Sequence, residues 1–288
     1  MVTLDILQIL YQSLPWATTL SLIALGEMML ERSGLVNLGL EGMLYLSASL
    51  AALFSLYYGS PYYGMIGGIL GGVLLAIVYI ATVIFLKADQ IVVGLTIVFL
   101  GVGLGDLMGN IIGGLLAPSF TRISTRLTFP LFSLLVIPSM LYYILYRSWF
   151  GYAIRAVGED THKSHALGIP VTKIRVLMAL IGGVLSGIAG SYFILGPLAG
   201  RWTAGRTLGW GWIALGIVIL GYWHPLGIVV ASIILSLLYT YRPLLQAWGI
   251  PAAFSDAVPY IAVILSLIIV SWIYNRLGVK PPAAVWVR

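Results

Sequence analysis

Asp106 closes the run Gly103-Leu104-Gly105-Asp106 inside a long apolar stretch. A carboxylate at membrane depth could serve acid proteolysis, but that chemistry takes two carboxylates sharing one proton. The other aspartates, Asp5, Asp89, Asp160 and Asp256, fall in loops or at helix ends by the hydropathy pattern, so no second embedded Asp is on offer. His162 and His165 are spaced as helix neighbours, yet no third ligand accompanies them, which argues against a tetrahedral metal site. The chain has no Cys, hence no disulfide or thiolate metal ligand, and no G-x-x-x-x-G-K-[ST] phosphate loop. The remaining polar groups suit binding and guiding rather than bond breaking. They are Asn37 and Glu41, four apart in ERSGLVNLGLEGM, and Asp106 and Asn110, one turn apart. An ionised carboxylate near the bilayer centre costs about 2.5–3.5 kcal/mol on insertion scales, so these residues should face a bundle interior or a watery path. Asn37 and Glu41 then either line that path or bond a neighbouring helix. Glu27 is expected to pair with Arg32 or to stay at the interface.

The elements that position these groups follow from composition. Hydrophobic residues make up 60% of the 288 and charged residues 8%, where soluble domains carry about 25% charged. A bilayer crossing takes about 20 mostly apolar residues. Runs bounded by Gly, Pro and charge place helices near 14–30, 36–57, 63–86, 90–112, 131–149, 176–196, 207–222, 225–242 and 257–275. The expected fold is therefore all-α, a polytopic transmembrane bundle of about nine helices forming a single domain over 1–288. The Gly/Pro-rich stretch 196–212 is the place for a re-entrant segment. Gly67 with Gly71, Gly68 with Gly72, and Gly183 with Gly187 share helix faces and should pack helix against helix. The start MVTLDILQILYQSLP lacks a basic n-region and a small-residue cleavage site, so it reads as mature chain rather than a secretory signal.

One polar island, residues 151–175 (GYAIRAVGEDTHKSHALGIPVTKIR), interrupts these apolar blocks. With the island cytoplasmic, the N-terminus lies outside and the C-terminus inside. Arg32, Lys87, Arg147, Arg155, Lys163, Lys173, Arg175, Arg276, Lys280 and Arg288 then fall inside, and Arg122, Arg126, Arg201, Arg206 and Arg242 outside, the bias that positive-inside sorting produces. The net charge of +6 thus needs no nucleic acid to explain it. Within the island, Asp160 or Thr161 can cap a short helix over 162–167, Gly168 suits a left-handed C′ position and Pro170 prevents continuation. Beyond it, Arg201, Trp202, Arg206, Trp210 and Trp212 read as a basic and aromatic belt at the outer interface.

The island and the following VLMALIGGVLSGIAGSYFILG at 176–196 resemble the cytoplasmic coupling loop and next helix of ABC-importer permeases of the branched-chain amino acid, simple sugar and nucleoside group. GEMMLERSGLVNLGLEGM at 26–43, KADQIVVGL at 87–95 and TAGRTLGWGWIALGIVILGYWHPLG at 203–227 extend the resemblance in family order, closest to the shorter permease subunit of nucleoside (basic membrane protein-dependent) transporters. The loop departs from the family at Asp160, where Asn is usual, and at KSHAL, which replaces much of an alanine-rich turn. The resemblance implies a plasma-membrane permease, not an enzyme, that binds no cofactor and leaves ATP to partner subunits. It implies a cytoplasmic ABC ATPase docking around Arg155, Gly158, Glu159, Asp160, Gly168 and Lys173. A second permease chain, different or identical, and an extracytoplasmic substrate-binding protein follow from it too. Asn37, Glu41, Asp106 and Asn110 become candidates for the translocation path, and Arg201 and Arg206 for an outer gate or the binding-protein contact. The expected cargo is a small polar solute, a nucleoside first, with branched-chain amino acids or simple sugars as alternatives inside the class. An ion-coupled secondary carrier, using Glu41 and Asp106, is the alternative outside it.

Overall fold

A computed structural model describes residues 6–120 and 123–277; Asp5 of the aspartate survey and Arg122, Lys280 and Arg288 of the charge argument lie outside the described residues, and the Arg126 side chain is likewise not described. The architecture is all-helical among the described residues, apart from one isolated antiparallel bridge between Leu116 and Arg201. In chain order the helices are α1 (Ile6–Glu31), α2 (Leu40–Tyr58), α3 (Pro61–Tyr79, continued by a π-helical turn Ile80–Phe85), α4 (Gln90–Ile112) and α5 (Ile123–Leu131). A second π-helical turn, Phe132–Val136, leads into α6 (Ile137–Arg147), followed by α7 (Trp149–Glu159), α8 (Thr161–Ala166), α9 (Val171–Leu195), α10 (Trp210–Leu220), α11 (Pro225–Ala247) and α12 (Ala252–Leu277).

Seven helical segments among the described residues are long and apolar enough to cross a membrane: α2, α3 with its π turn, α4, Leu127–Arg147, α9, α11 and α12. Two of the roughly nine expected blocks fall outside this set. The first, α1, is 26 residues long but carries Gln8, Gln12, Glu27 and Glu31. The other, α10, has only 11 residues, about 16 Å of helix against a hydrocarbon core of about 30 Å.

Burial ranks the elements. In α2 and α9, 72% of the spanning residues are buried, whereas in α4 and α12 the shares are 22% and 17%. The first pair forms the centre of the bundle, with α1 and α3 packed on α9. The second pair presents faces to lipid or to another chain. Close approach at the centre depends on glycine: a Cβ on Gly72 would run into the backbone of Gly183 and Gly187 on α9, so the expected glycine packing joins α3 to α9.

Helix α1 starts at Ile6 rather than near 14 and α9 at Val171 rather than near 176, and two further differences bear on the site. Helix α2 starts at Leu40, so Asn37 is not on it. Its Oδ1 accepts the Gly39 N–H at 2.8 Å, a side-chain turn that competes with helix and leaves residues 35–37 non-helical. The first half of the polar island, expected as loop, is α7. Ser148 Oγ caps it by accepting the Gly151 N–H at 3.1 Å, and Gly151, Ile154 and Val157 form its buried face while Trp149 and Tyr152 stay exposed.

A broken crossing with a buried polar site, and an exposed capped helix

Where a re-entrant segment is expected, the chain is non-helical from 196 to 209 and helical from Trp210 on. The outer end of this stretch is tied where the Ala117 N–H donates to Gly200 O at 3.1 Å and the Phe120 N–H to Leu195 O at 2.9 Å. The chain then runs inward without helix to Gly209, where α10 begins and continues to Gly221, beside the inner end of α1. Loop and half-helix together complete one crossing. A helix that begins at membrane depth leaves orphan N–H groups and a partial positive charge there. Glu41 meets both: its Oε1 accepts the Gly209 N–H and its Oε2 the Gly211 N–H, each at 2.9 Å, and it is 2% exposed. A Cβ on Gly211 would strike the backbone of Leu40 and Glu41, so only glycine lets α10 approach this closely.

One turn along α2, the Tyr45 hydroxyl accepts the Gly205 N–H at 2.9 Å and donates to Asp106 on α4. Trp202 packs edge-on to Tyr45 with ring centroids 5.3 Å apart. Asp106, Asn110, Trp202 and Thr203 then line an open pocket of about 540 Å³ bounded by Gly109, Gly113 and Gly114. The structure thus brings Asp106 and Asn110 together with an indole and backbone polar groups, and spends the Glu41 carboxylate on α10. Asn37 is also consumed locally: besides the Gly39 bond, its own N–H donates to Glu27 Oε1 at 2.7 Å.

At the inner end the pairings depart from expectation. Glu27 is 1% exposed and bonds Asn37 rather than Arg32. Arg32 instead donates to Trp223 O, at 3.1 Å from Nε and 2.8 Å from Nη2, and to the Tyr146 hydroxyl at 3.1 Å. Glu31 accepts the Trp223 indole N–H. These bonds hold Tyr222 and Trp223, both at positive φ (55° and 50°), in the turn from α10 to α11, a conformation uncommon for bulky residues.

The aromatic belt also resolves differently. Trp210 is 3% exposed and sits in a cluster with Trp16 (5.3 Å), Phe193 (5.0 Å) and Tyr239 (4.6 Å), because the broken crossing carries it into the core. Only Trp212 of the three is exposed. Arg201 and Arg206 are both exposed; Arg206 lines a separate pocket of about 440 Å³ with Trp16, Tyr239 and Arg242.

The exposed site is α8. Asp160 Oδ1 accepts the Lys163 N–H at 2.9 Å and Oδ2 faces Lys163 Nζ at 3.1 Å. That backbone bond, then the Lys163 ammonium, pulls the Asp160 carboxyl below its ordinary value. Gly168 stands at φ +78°, donating to His165 O while Ile169 N–H donates to Ser164 O, both at 3.0 Å, the paired bonds of a Schellman cap. Glu159, Lys173 and Gly168 are exposed. Gly158 packs on the Arg32 carbonyl and Arg155 lies over the Tyr146 and Tyr152 rings at 5.0 and 4.8 Å, so these two fasten α7 to the bundle. Sequence reasoning missed Tyr45 and read Trp202 as an interface residue rather than a pocket wall; the i, i+4 relation of Tyr45 to Glu41 was the available signal.

Discontinuous crossings with helix ends at membrane depth recur in transport proteins. The chain belongs to the family described as the permease component of the branched-chain amino acid transport system, whose model matches residues 9–267. The guanosine ABC transporter permease NupQ of Bacillus subtilis is 30% identical over 92% of this chain and 93% of its own. The nucleoside ABC transporter permease NupC of Lactococcus lactis is 28% identical, with 88% of each chain covered. A protein of Haloferax volcanii named as a glucose ABC transporter permease is 34% identical over 77% of this chain and 73% of its own. A solved structure described as a metal-chelate type ABC transporter, inward-facing, shares the fold at a TM-score of 0.55 and 20% identity, covering 90% of this chain and 86% of that one. The chain is therefore a multi-pass plasma-membrane permease subunit of an ABC transporter. Permeases of this class associate with ATPase and substrate-binding subunits and are generally not enzymes themselves.

Proposed function

We propose that this chain forms half of an importer path for nucleosides. Its likeness to NupQ and NupC along almost its whole length carries the reading. The pocket chemistry supports it: Asp106 and Asn110 offer a carboxylate and an amide to ribose hydroxyls or base edges, and Trp202 an aromatic face to a planar base. Glu41 and Asn37 are positioning residues here, the first holding α10 and the second the turn before α2. Arg201 and Arg206 receive the binding protein or close the outer gate.

The exposed surface of α8, with Glu159, Asp160, Gly168 and Lys173, docks a cytoplasmic ATPase, while Arg155 and Gly158 pass its motion to the inner end of the bundle. The chain acts as one domain, with 151–175 as its coupling loop. A second permease, different or identical, covers the exposed faces of α4 and α12. This chain catalyses no reaction, binds no cofactor and no nucleic acid, and ATP is used by the partner. The Haloferax relative favours a second reading, simple-sugar transport. Uptake of labelled guanosine by vesicles carrying the assembled transporter, challenged with unlabelled nucleosides, glucose and leucine, separates them. Competition by nucleosides alone is expected; competition by glucose or leucine alone overturns the nucleoside reading. Uptake by this chain alone on an ion gradient overturns the importer reading.

A further inference from the structure

The turn between α3 and α4 and the start of α9 enclose a third pocket, of about 520 Å³, beside α8. Lys87, Arg175 and His165 line it, together with Gln90, Thr161 and Thr172; no carboxylate does. The nearest acid in sequence, Asp89, caps α4, its Oδ1 accepting the Ile91 and Val92 N–H groups at 2.9 and 3.0 Å. Lys87 is exposed and stands at φ +55°, a conformation a non-glycine residue adopts at a cost. Arg175 donates to Ser33 O at 3.3 Å and to Thr161 Oγ1 at 2.9 Å, both neutral acceptors, which leaves most of its five N–H donors for something else. Among the described residues the ion pairs are Lys163 with Asp160 and Arg242 with Asp256, so neither Lys87 nor Arg175 has an anion beside it.

An apolar ridge leads to this pocket. Ile66, Leu70, Leu74, Ile77 and Phe85 are exposed at helical spacing along α3 and its π turn, ending next to Lys87. The inner part of the ridge, from Leu74 to Phe85, is about 16 Å of helix, half of a hydrocarbon core of about 30 Å and so the reach of one acyl chain, and the pocket sits at the cytoplasmic end of it, at headgroup depth. Basic pockets between transmembrane helices on that side suit lipid phosphates.

We propose that this pocket binds the headgroup of an anionic phospholipid of the inner leaflet, with Lys87 and Arg175 on the phosphate and an acyl chain along α3. Because Arg175 also holds Thr161, the first residue of α8, a bound lipid stiffens the seat of that helix. Acidic residues of a docked ATPase are the rival occupant. The ridge favours lipid, since a water-facing protein contact does not require an apolar track across the membrane.

Native mass spectrometry of the assembled transporter, purified through this chain from vesicles of phosphatidylcholine and phosphatidylglycerol, tests it. Phosphatidylglycerol is expected to be retained by the unaltered chain and by Lys87→Arg. Lys87→Gly, which keeps the left-handed backbone, lowers occupancy about fivefold, the loss of one lysine near an anionic surface. Lys87→Glu lowers it further. ATPase activity should rise when phosphatidylglycerol is added to phosphatidylcholine nanodiscs and should not respond to inorganic phosphate. Equal retention across the variants, a full response to phosphate in place of lipid, or loss of the ATPase subunit from Lys87→Glu with lipid retention unchanged would each overturn the proposal.

Discussion

Glu41 and Asp160 do the same job in two different media. Each is a carboxylate accepting N–H groups at a helix start, Glu41 for α10 and Asp160 for α8. Glu41 is 2% exposed and reaches a helix 168 residues further along the chain. Asp160 caps its own helix three residues on, with its side chain 38% exposed. In water an uncapped N–H finds solvent, so Asp160 adds little to the fold and mainly shapes a surface. At membrane depth there is no solvent to replace Glu41, and the half-helix, its carboxylate and the glycine that lets them meet stand or fall together. One region is built to persist, and the other is exposed where we propose that the ATPase docks.

The largest expected effect follows from that contrast. Glu41→Ala leaves the Gly209 and Gly211 N–H groups without an acceptor, at about 1–3 kcal/mol each. Both assembly and uptake should fail, read as loss of monodisperse transporter on size-exclusion chromatography; a well-assembled but inactive variant would assign Glu41 to the path instead. Next comes Asp106→Asn, which weakens a hydrogen bond to a charged group worth about 1.5–3 kcal/mol. The bundle should form while the guanosine concentration for half-maximal uptake rises, as measured in vesicles. Gly168→Val places a β-branched residue at φ +78° and should cost about 1–2 kcal/mol locally. It should weaken ATPase co-purification without changing the melting temperature of the bundle.

The smallest effect belongs to Asp160→Ala, a drop in coupled ATPase activity short of that for Gly168→Val. Its pH dependence has a definite sign. Because the folded carboxyl titrates below its unfolded value, the cap is intact above the ordinary carboxylate range and is lost only as pH falls through the lowered value. Hydrogen exchange of residues 161–168 should therefore be flat, after correction for intrinsic rates, from neutral to mildly acidic pH and accelerate only below that; in Asp160→Ala the acid step should vanish.

What was legible in the residues divides along the same line. The α8 cap, Gly168 and the stop at Pro170 rest on contacts within five residues, and local chemistry writes them into the sequence. The apolar blocks are legible because lipid imposes their length. The partners of Glu41, Glu27 and Arg32 were not, because each choice depends on where a distant helix end arrives. The same holds for Trp210, whose composition reads as an interface residue until the broken crossing carries it inward. Helix α7 was hidden by its mixed polarity, which is that of a helix lying at a surface rather than crossing.

The central claim is that solute is handled at the Asp106 pocket and force is received at α8. ATP-driven guanosine uptake by the reconstituted transporter, measured across guanosine concentrations for Asp106→Asn and Gly168→Val, tests it most directly. The account predicts that Asp106→Asn raises the half-saturating concentration with the maximal rate retained, and that Gly168→Val lowers the maximal rate with half-saturation unchanged. The same parameter moving in both variants would contradict it.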